Sequence, residues 1–140
     1  TYNDAKVTKD ADSNNIGIVN FGVSKHIANA MSIYRFTEGK LAGFSAGAGM
    51  QYVGARSVDY PGYTLPEERG KNAPGYTIYD ANLGYNIGKF SFHLNIYNLF
   101  SKKYMSSPWW NSSVDGVAPG YYTFSPNIPI NFRLSANYHF

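Results

Sequence analysis

The stretch Ile130–Phe140 reads INFRLSANYHF, and it decides the fold because apolar and polar residues alternate along its whole length. Successive side chains of a β-strand point to opposite faces, so a period of two predicts a strand with one apolar and one polar face. The apolar face carries Ile130, Phe132, Leu134, Ala136, Tyr138 and Phe140. The polar face carries Asn131, Arg133, Ser135, Asn137 and His139.

The same alternation predicts more strands upstream, which makes the protein all-β. The predicted strands are Phe90–Tyr97, Tyr76–Ile87, Leu41–Ala55, a less regular Lys25–Phe36, and Thr1–Thr8 as the end of a sixth strand. The connections alternate between short ones, Thr37–Lys40 and Gly88–Lys89, and long ones, Lys9–Ser24, Arg56–Gly75 and Ser101–Pro129. Outer-membrane barrels have short periplasmic turns and long extracellular loops. The pattern therefore favours an antiparallel sheet with all long connections on one side.

Composition and the placement of aromatic residues favour a membrane barrel over a soluble sheet. Charged residues make up 15% of the chain, whereas a soluble domain carries about 25%. On the apolar faces, aromatic residues lie near the strand ends and aliphatic residues in the middle, as in a bilayer. Six strands cannot close a single-chain membrane barrel, which needs at least about eight. The sequence predicts a transmembrane antiparallel β-barrel fragment, or a protomer of an oligomeric barrel.

Several motifs, in order along the chain, resemble segments of TonB-dependent outer-membrane receptors. They are YNDAKV at Tyr2–Val7, KH at Lys25–His26 after Ser24 in place of Pro, GMQYVGAR at Gly49–Arg56, PGYTIYDA at Pro74–Ala81, and NLFSKKY at Asn98–Tyr104. Ser101 stands in the last motif where the family usually has Asp. Together the motifs cover nearly the whole chain, and they resemble the siderophore receptors of that family most closely.

This resemblance implies that residues 1–140 are the C-terminal part of the barrel, the last six of about 22 strands, in the bacterial outer membrane. In the family, an N-terminal plug fills the barrel, a short box on the plug binds TonB, and the proton-motive force drives import of a ferric siderophore. The plug domain is absent from this sequence. The implied partners are the ferric siderophore, TonB through the missing plug, and outer-membrane lipid. Phe140 and Tyr138 resemble the C-terminal signal that the barrel-assembly machinery reads.

Two alternatives remain open on the residues alone. One is a passive channel, either a porin or an oligomeric barrel built from six-stranded protomers. The other is a soluble carbohydrate- or partner-binding β-domain that uses Trp109 and Trp110. A plug with a TonB box would separate a receptor from a porin, and partitioning into detergent micelles would separate both from a soluble domain.

Candidate ligand-binding residues are the aromatic side chains of the long loops. Trp109, Trp110, Tyr121 and Tyr122 lie in the longest loop, and Tyr60 and Tyr63 lie in the neighbouring one. The strand periodicity gives these rings no place in a core. Aromatic faces and phenol hydroxyls suit a bulky, partly aromatic chelate such as a ferric siderophore. The alternative is that the rings pack the loops against each other.

The remaining features favour neither nucleic-acid binding nor catalysis. The net charge is +3, and the basic residues are scattered rather than clustered, so no nucleic-acid partner is expected. There is no Cys, which excludes thiolate metal sites. No catalytic triad or site with paired carboxylates can be read from the sequence. We therefore expect no enzyme, no resident metal and no intrinsic cofactor, the ferric siderophore being a transported ligand.

Three polar groups are given structural interpretations. Asp10–Asn14 begins like a calcium loop, but Asn15 and Phe21 replace the Gly and Glu that such a loop needs, so a solvated loop is expected. His93 and His139 share the polar phase of neighbouring strands, where hydrogen bonds are expected rather than a metal. Glu67–Arg69 is expected to be a solvated run of charges in a loop.

Overall fold

The computed structural model describes residues 1–60, 64–113 and 118–140. Its strands are β1 (Ile27–Arg35), β2 (Phe44–Val53), β3 (Arg56–Ser57), β4 (Asn72–Ala73), β5 (Tyr76–Ile87), β6 (Phe90–Tyr97), β7 (Trp109–Asn111), β8 (Tyr121–Thr123) and β9 (Asn131–Tyr138). Short 3-10 turns span Ser13–Asn15, Gly39–Leu41 and Pro66–Glu68. The all-β prediction is confirmed.

The residues fall into two compact units. The first, here called the loop unit, comprises Thr1–Ile27, Tyr52–Tyr76 and Lys103–Asn127. The second, here called the sheet unit, comprises Ala28–Gln51, Thr77–Lys102 and Ile128–Phe140. Two stretches of the loop unit recur below as the first loop, residues 54–75, and the second loop, residues 103–127.

The five long strands form one sheet in the order β1-β2-β5-β6-β9, so each pairs with the next long strand along the chain. β5 pairs with β6, and β6 with β9, in antiparallel fashion. The predicted strands Tyr76–Ile87 and Phe90–Tyr97 are confirmed at both ends, and the other three lie up to three residues inside their predicted limits. The turn at Gly88–Lys89 has its predicted length. The connection between β1 and β2, residues 36–43, is longer than the predicted Thr37–Lys40 because it contains a 3-10 turn.

The strand register brings like residues into rows across the sheet. Leu83, Leu94 and Leu134 face one another on β5, β6 and β9, and the adjacent row consists of Gly84, His93 and Ser135. These rows point to opposite faces, because side chains alternate along each strand. Leu134 is 73% exposed. One face of the sheet is thus apolar and uncovered, which is the surface that a strand presents to lipid.

Aromatic residues lie at both ends of the sheet, as the sequence predicted. Ring contacts join Phe90, Tyr138 and Phe140 near the β5–β6 turn, and Tyr34, Phe36 and Phe44 near the β1–β2 connection. At the opposite strand ends, Tyr79 and Phe100 meet edge to face, with ring centroids 5.5 Å apart. Aromatic rings at both ends of an apolar band are typical of outer-membrane strands.

Apolar burial is confined to the loop unit. Among the described residues, the buried hydrophobic side chains are Val53, Val58 and Ala73, and all three belong to that unit. The sheet unit therefore has no dry core of its own, as expected for part of a barrel wall that has lipid on one side. In the described part of the chain, no helix is long and apolar enough to cross a membrane.

The N-terminal segment pairs as the predicted end of a sixth strand over its first three residues only. Thr1 and Ile27 exchange two backbone hydrogen bonds, the Asn3 amide donates to the Lys25 carbonyl, and Tyr2 forms a bridge with His26. Further along the segment, Lys6 forms a bridge with Val19. From one bridge to the next the chain advances four residues on one side (2 to 6) and seven on the other (19 to 26). This inequality interrupts the ladder, so the described sheet has five strands rather than six.

We predict that arginine at Leu134 destabilises the folded barrel by about 2–4 kcal/mol, because it would place a charge against hydrocarbon. Ser135→Arg is the matched control: it lies one residue along β9 and points to the other face, opposite His93. Asn95 is a poorer control because it pairs with Arg133, and like charges directly opposite each other repel. The measurement is denaturant unfolding of the full-length protein in lipid bilayers. A larger cost at Ser135 than at Leu134 would reverse the assignment of faces.

Candidate ligand-binding site

Three of the sequence motifs, GMQYVGAR, PGYTIYDA and NLFSKKY, each contribute a side chain to one stack in the loop unit. The Tyr76 and Tyr104 rings stack with centroids 4.0 Å apart and planes 17° apart, and the Arg56 guanidinium carbon lies 5.4 Å from the Tyr76 ring centroid. Arg56 Nη2 also donates to the carbonyl of Met105 over 2.6 Å. The start of the second loop is thereby fastened to the first loop. In the described part of the chain, Arg56 Nε is the buried side-chain polar atom that lacks a hydrogen-bond partner.

A further contact between two of the motifs, PGYTIYDA and NLFSKKY, shapes the end of β6, within the sheet unit. Asn98 is buried and has a positive φ of 49°, which Asn tolerates better than most residues. Its side chain donates to the carbonyls of Lys102 and Ile128 and accepts from the Lys102 amide, at 2.8–3.0 Å. Its own amide donates to Asp80 Oδ1. Asn98 thus holds together the chain that leaves β6 and the chain that returns to β9.

The base of the first loop is closed by β3, β4 and a buried carboxylate. Asp59 is 5% exposed and accepts backbone hydrogen bonds from Gly70 at 2.6 Å and Lys71 at 3.3 Å. The Asp59 amide donates to the Ser57 hydroxyl, and Val58 beside it is fully buried. Buried carboxylates need such donors, so these bonds fix the residues on either side of the loop tip.

Four of the six predicted ligand-binding residues divide between two aromatic clusters. In the first cluster, Trp109 stacks on Tyr60, with centroids 5.0 Å apart and planes 20° apart. Phe21 meets both rings edge to face, at 5.1 Å from Trp109 and 5.4 Å from Tyr60. Sequence analysis did not select Phe21, because nothing local in the sequence sets it apart. Of the other two candidates, Tyr63 lies outside the described residues and Tyr121 belongs to neither cluster.

The second cluster is centred on Trp110. Its ring meets Tyr122 edge to face at 4.9 Å, and Lys71 Nζ lies 4.9 Å from the ring centroid as a cation–π contact. Gly120 packs so closely on the indole that a Cβ there would overlap it. The indole N–H donates to Glu68 Oε2 over 2.9 Å. Tyr122 donates its hydroxyl to the carbonyl of Asn72 at 3.4 Å.

Glu68 corrects the prediction that Glu67–Arg69 is only a solvated run of charges. Glu68 accepts a hydrogen bond from the Trp110 indole, and both of its carboxylate oxygens also accept from the Ser113 amide, at 3.1 Å each. Hydrogen bonding to Ser113 first, and then to Trp110, lowers the pKa of Glu68 from its ordinary 4.5 to about 2. Arg69 donates to the carbonyl of Asn14 and the side chain of Asn15. The run therefore makes specific contacts with two other segments.

Other aromatic side chains of the second loop remain open to solvent. Tyr121 is 59% exposed and Phe124 is 48% exposed. Tyr121 pairs with Asn111 in the β7–β8 hairpin, next to the Trp110–Tyr122 pair. The hairpin thus combines rings that pack the loops together with rings that are accessible to a ligand.

The carboxylates considered for calcium, Asp10 and Asp12, make ordinary hydrogen bonds. Asp10 accepts from the Asp12 amide and from the Asn15 side chain, and Asp12 accepts from the Asn14 amide. His93 lies opposite Ser135, while His139 Nε2 lies 3.4 Å from the Ser91 hydroxyl, so the two histidines do not converge. In the described residues, no three His, Asp or Glu side chains are grouped to hold a metal ion.

The family of this chain follows from its similarity to known proteins. Residues 1–99 match the profile of a family described as TonB dependent receptor-like, β-barrel. The chain belongs to this family. Family membership excludes the soluble carbohydrate-binding domain and gives no support to the porin alternative. The receptors of this family are proteins of the bacterial outer membrane, as the sequence predicted.

Relatives in the family include receptors for metal complexes. The metal-pseudopaline receptor CntO of Pseudomonas aeruginosa is 35% identical over 120 residues, which cover 85% of this chain and 16% of CntO. The catecholate siderophore receptor Fiu of Escherichia coli K12 is 31% identical over 123 residues, which cover 83% of this chain and 13% of Fiu. The structure of the ferric-catecholate import receptor Fiu in its closed form aligns with a TM-score of 0.66 at 30% identity, covering 94% of this chain and 16% of Fiu. The chain therefore spans only 13–16% of the length of these relatives.

We predict that acid releases the contact between Glu68 and the second loop. A carboxyl whose pKa is lowered on folding adds stability above its ordinary pKa and loses it as pH falls toward the folded value. For Glu68 that window runs from pH 4.5 down to about 2. Tryptophan fluorescence of the full-length receptor, titrated through this window, should show a transition that Glu68→Gln removes. Glu67→Gln is the control and should keep it. A transition unchanged in Glu68→Gln would contradict the assignment.

Proposed function

We propose that this chain is the C-terminal part of the barrel of a TonB-dependent receptor that binds and imports a ferric siderophore. The observation that carries the proposal is the similarity, above 30% identity, to both a metal-pseudopaline receptor and a catecholate siderophore receptor. A ferric-pyoverdine receptor, PbuA of Pseudomonas sp., is 33% identical over 109 residues. Import itself needs the plug domain and TonB, and the chain contributes to the wall and to the loops that meet the ligand.

The ligand contacts that we propose are aromatic. Tyr121 is 59% exposed, so its ring and hydroxyl are accessible to a chelate. Tyr122 is 37% exposed, and it is proposed to offer the ring surface that Trp110 leaves uncovered. Trp109, Trp110 and Tyr60 have at least one face packed against other rings, and they are proposed to line the site with their remaining surface. Tyr63 belongs to the same proposal by its position in the first loop. Offset and edge-to-face ring contacts add about 0.5–1.5 kcal/mol beyond the area buried.

Alanine at Trp109, Trp110, Tyr121 or Tyr122 removes one ring that could pack on the ligand. Each of these substitutions is expected to weaken ferric siderophore binding roughly threefold to tenfold. Affinity would be measured on purified full-length receptor with the ferric complexes of a catecholate siderophore and of pyoverdine, and with a metal complex of pseudopaline. Ser107→Ala, an exposed position in the same loop, is the matched control. Four affinities near the wild-type value, with the barrel still folded, would show that these aromatic residues pack the loops and do not contact the ligand.

The end of the chain is proposed to act in assembly. Phe140 is fully exposed and packs edge to face on Tyr138, with centroids 5.2 Å apart. Deleting Phe140 from the full receptor should lower the amount of folded barrel in the outer membrane, because the barrel-assembly machinery would lose an aromatic residue of its proposed signal. His139→Ala keeps Phe140 and serves as the control. Heat-modifiable barrel at unchanged levels after the deletion would refute the assembly role.

A further inference from the structure

Trp110 is held by residues of both long loops. From the first loop come the Glu68 carboxylate, which accepts the indole N–H, and the Lys71 ammonium, which lies over the ring. From the second loop come Tyr122 and Gly120, which pack on the indole. Because an indole has one N–H and two faces, these contacts occupy most of its capacity for interaction. Trp110 is therefore a junction between the loops, and only its remaining surface can line a ligand site.

The Glu68 carboxylate is the polar centre of that junction. It accepts hydrogen bonds from the Trp110 side chain and the Ser113 backbone, so it fixes the second loop at positions three residues apart. A parallel bond runs from the Leu65 amide to the Ser112 hydroxyl at 3.0 Å. Hydrogen bonds to an ionised acceptor are stronger and more directional than ring packing. The orientation of β7, which carries both tryptophans, thus depends on a residue of the other loop.

We propose that Glu68 is a positioning residue for ligand capture: it holds the second loop, with Trp109–Asn111, in the orientation in which the exposed aromatic residues of the β7–β8 hairpin receive the ferric siderophore. This inference rests on the proposed function. Glu68 itself does not contact the ligand, because its two oxygens are turned to Trp110 and Ser113. It acts through them.

The energetic consequence is preorganisation. When only part of the population has its loops correctly oriented, the apparent dissociation constant rises by the reciprocal of that fraction. Breaking the Glu68 hydrogen bonds allows the second loop to sample other orientations, so affinity falls although every ligand-contacting ring is still present. A drop of the oriented fraction to about one tenth would weaken binding tenfold.

The test compares Glu68→Ala, Glu68→Gln and the neighbouring control Glu67→Ala in the full-length receptor. Amide hydrogen exchange over residues 105–113 reports the loop without ligand. Titration with the ferric catecholate, ferric pyoverdine and metal–pseudopaline complexes reports affinity. Glu68→Ala is expected to speed exchange and to weaken binding about tenfold. Glu68→Gln keeps one oxygen acceptor and should recover part of both. Glu67→Ala, whose side chain is exposed, should match wild type.

Three results would overturn the proposal. Unchanged exchange in Glu68→Ala would mean that the carboxylate does not hold the loop. Faster exchange with unchanged affinity would make the interaction structural only. A Glu68→Gln variant no better than Glu68→Ala in both measurements would remove the hydrogen-bonding role. In each case the wild-type receptor still binds a ferric complex, so the proposed function stands. A wild-type receptor that binds none of the three complexes instead rejects the proposed function, and this inference with it.

Discussion

Backbone hydrogen bonding between neighbouring strands is the constraint on which the rest of this structure depends. In hydrocarbon each unpaired backbone group costs several kcal/mol, so a membrane-spanning sheet must bond every strand on both sides. Order β1-β2-β5-β6-β9 meets this requirement for the three inner strands. The outer strands β1 and β9 need neighbours from the remainder of a barrel. Once the backbone is paired, the side chains are free to be apolar toward lipid and small or polar toward the interior, which is the alternation seen in Leu134 and Ser135.

The loop unit is stabilised by a different kind of interaction. Its buried apolar residues are few, Val53, Val58 and Ala73 among those described. Its order therefore rests on stacked rings and on hydrogen bonds to carboxylates and carbonyls. Asp59 closes the first loop, Arg56 fastens the start of the second, and Glu68 joins the two. Stacked aromatic rings and paired polar groups tolerate water at the edges of the contact, which suits loops that are open to solvent.

A feature of this structure could be predicted from the sequence when the interaction behind it is local along the chain. The strands were predictable because alternation is local: Phe90–Tyr97 and Tyr76–Ile87 needed no knowledge of their partners. The length of the sixth strand could not be predicted, because pairing depends on both segments. The unequal spacing of the bridges, Tyr2 to Lys6 on one side and Val19 to His26 on the other, is not visible in either segment alone. The contacts of Glu68 join residues 42 and 45 positions apart. No periodicity signals them, and a glutamate beside Glu67 and Arg69 has the local appearance of a solvated charge.

Directionality explains why a carboxylate can serve where more aromatic packing would not. The site must hold a hairpin at a defined angle in water, with little burial to help. Ring contacts such as Trp110–Tyr122 are compatible with a range of rotations, since the energy of stacked and edge-to-face arrangements differs little. A carboxylate that receives one indole N–H and one backbone N–H accepts only orientations in which both donors reach it. The aromatic residues thus supply contact area, and Glu68 selects among the arrangements that this area permits.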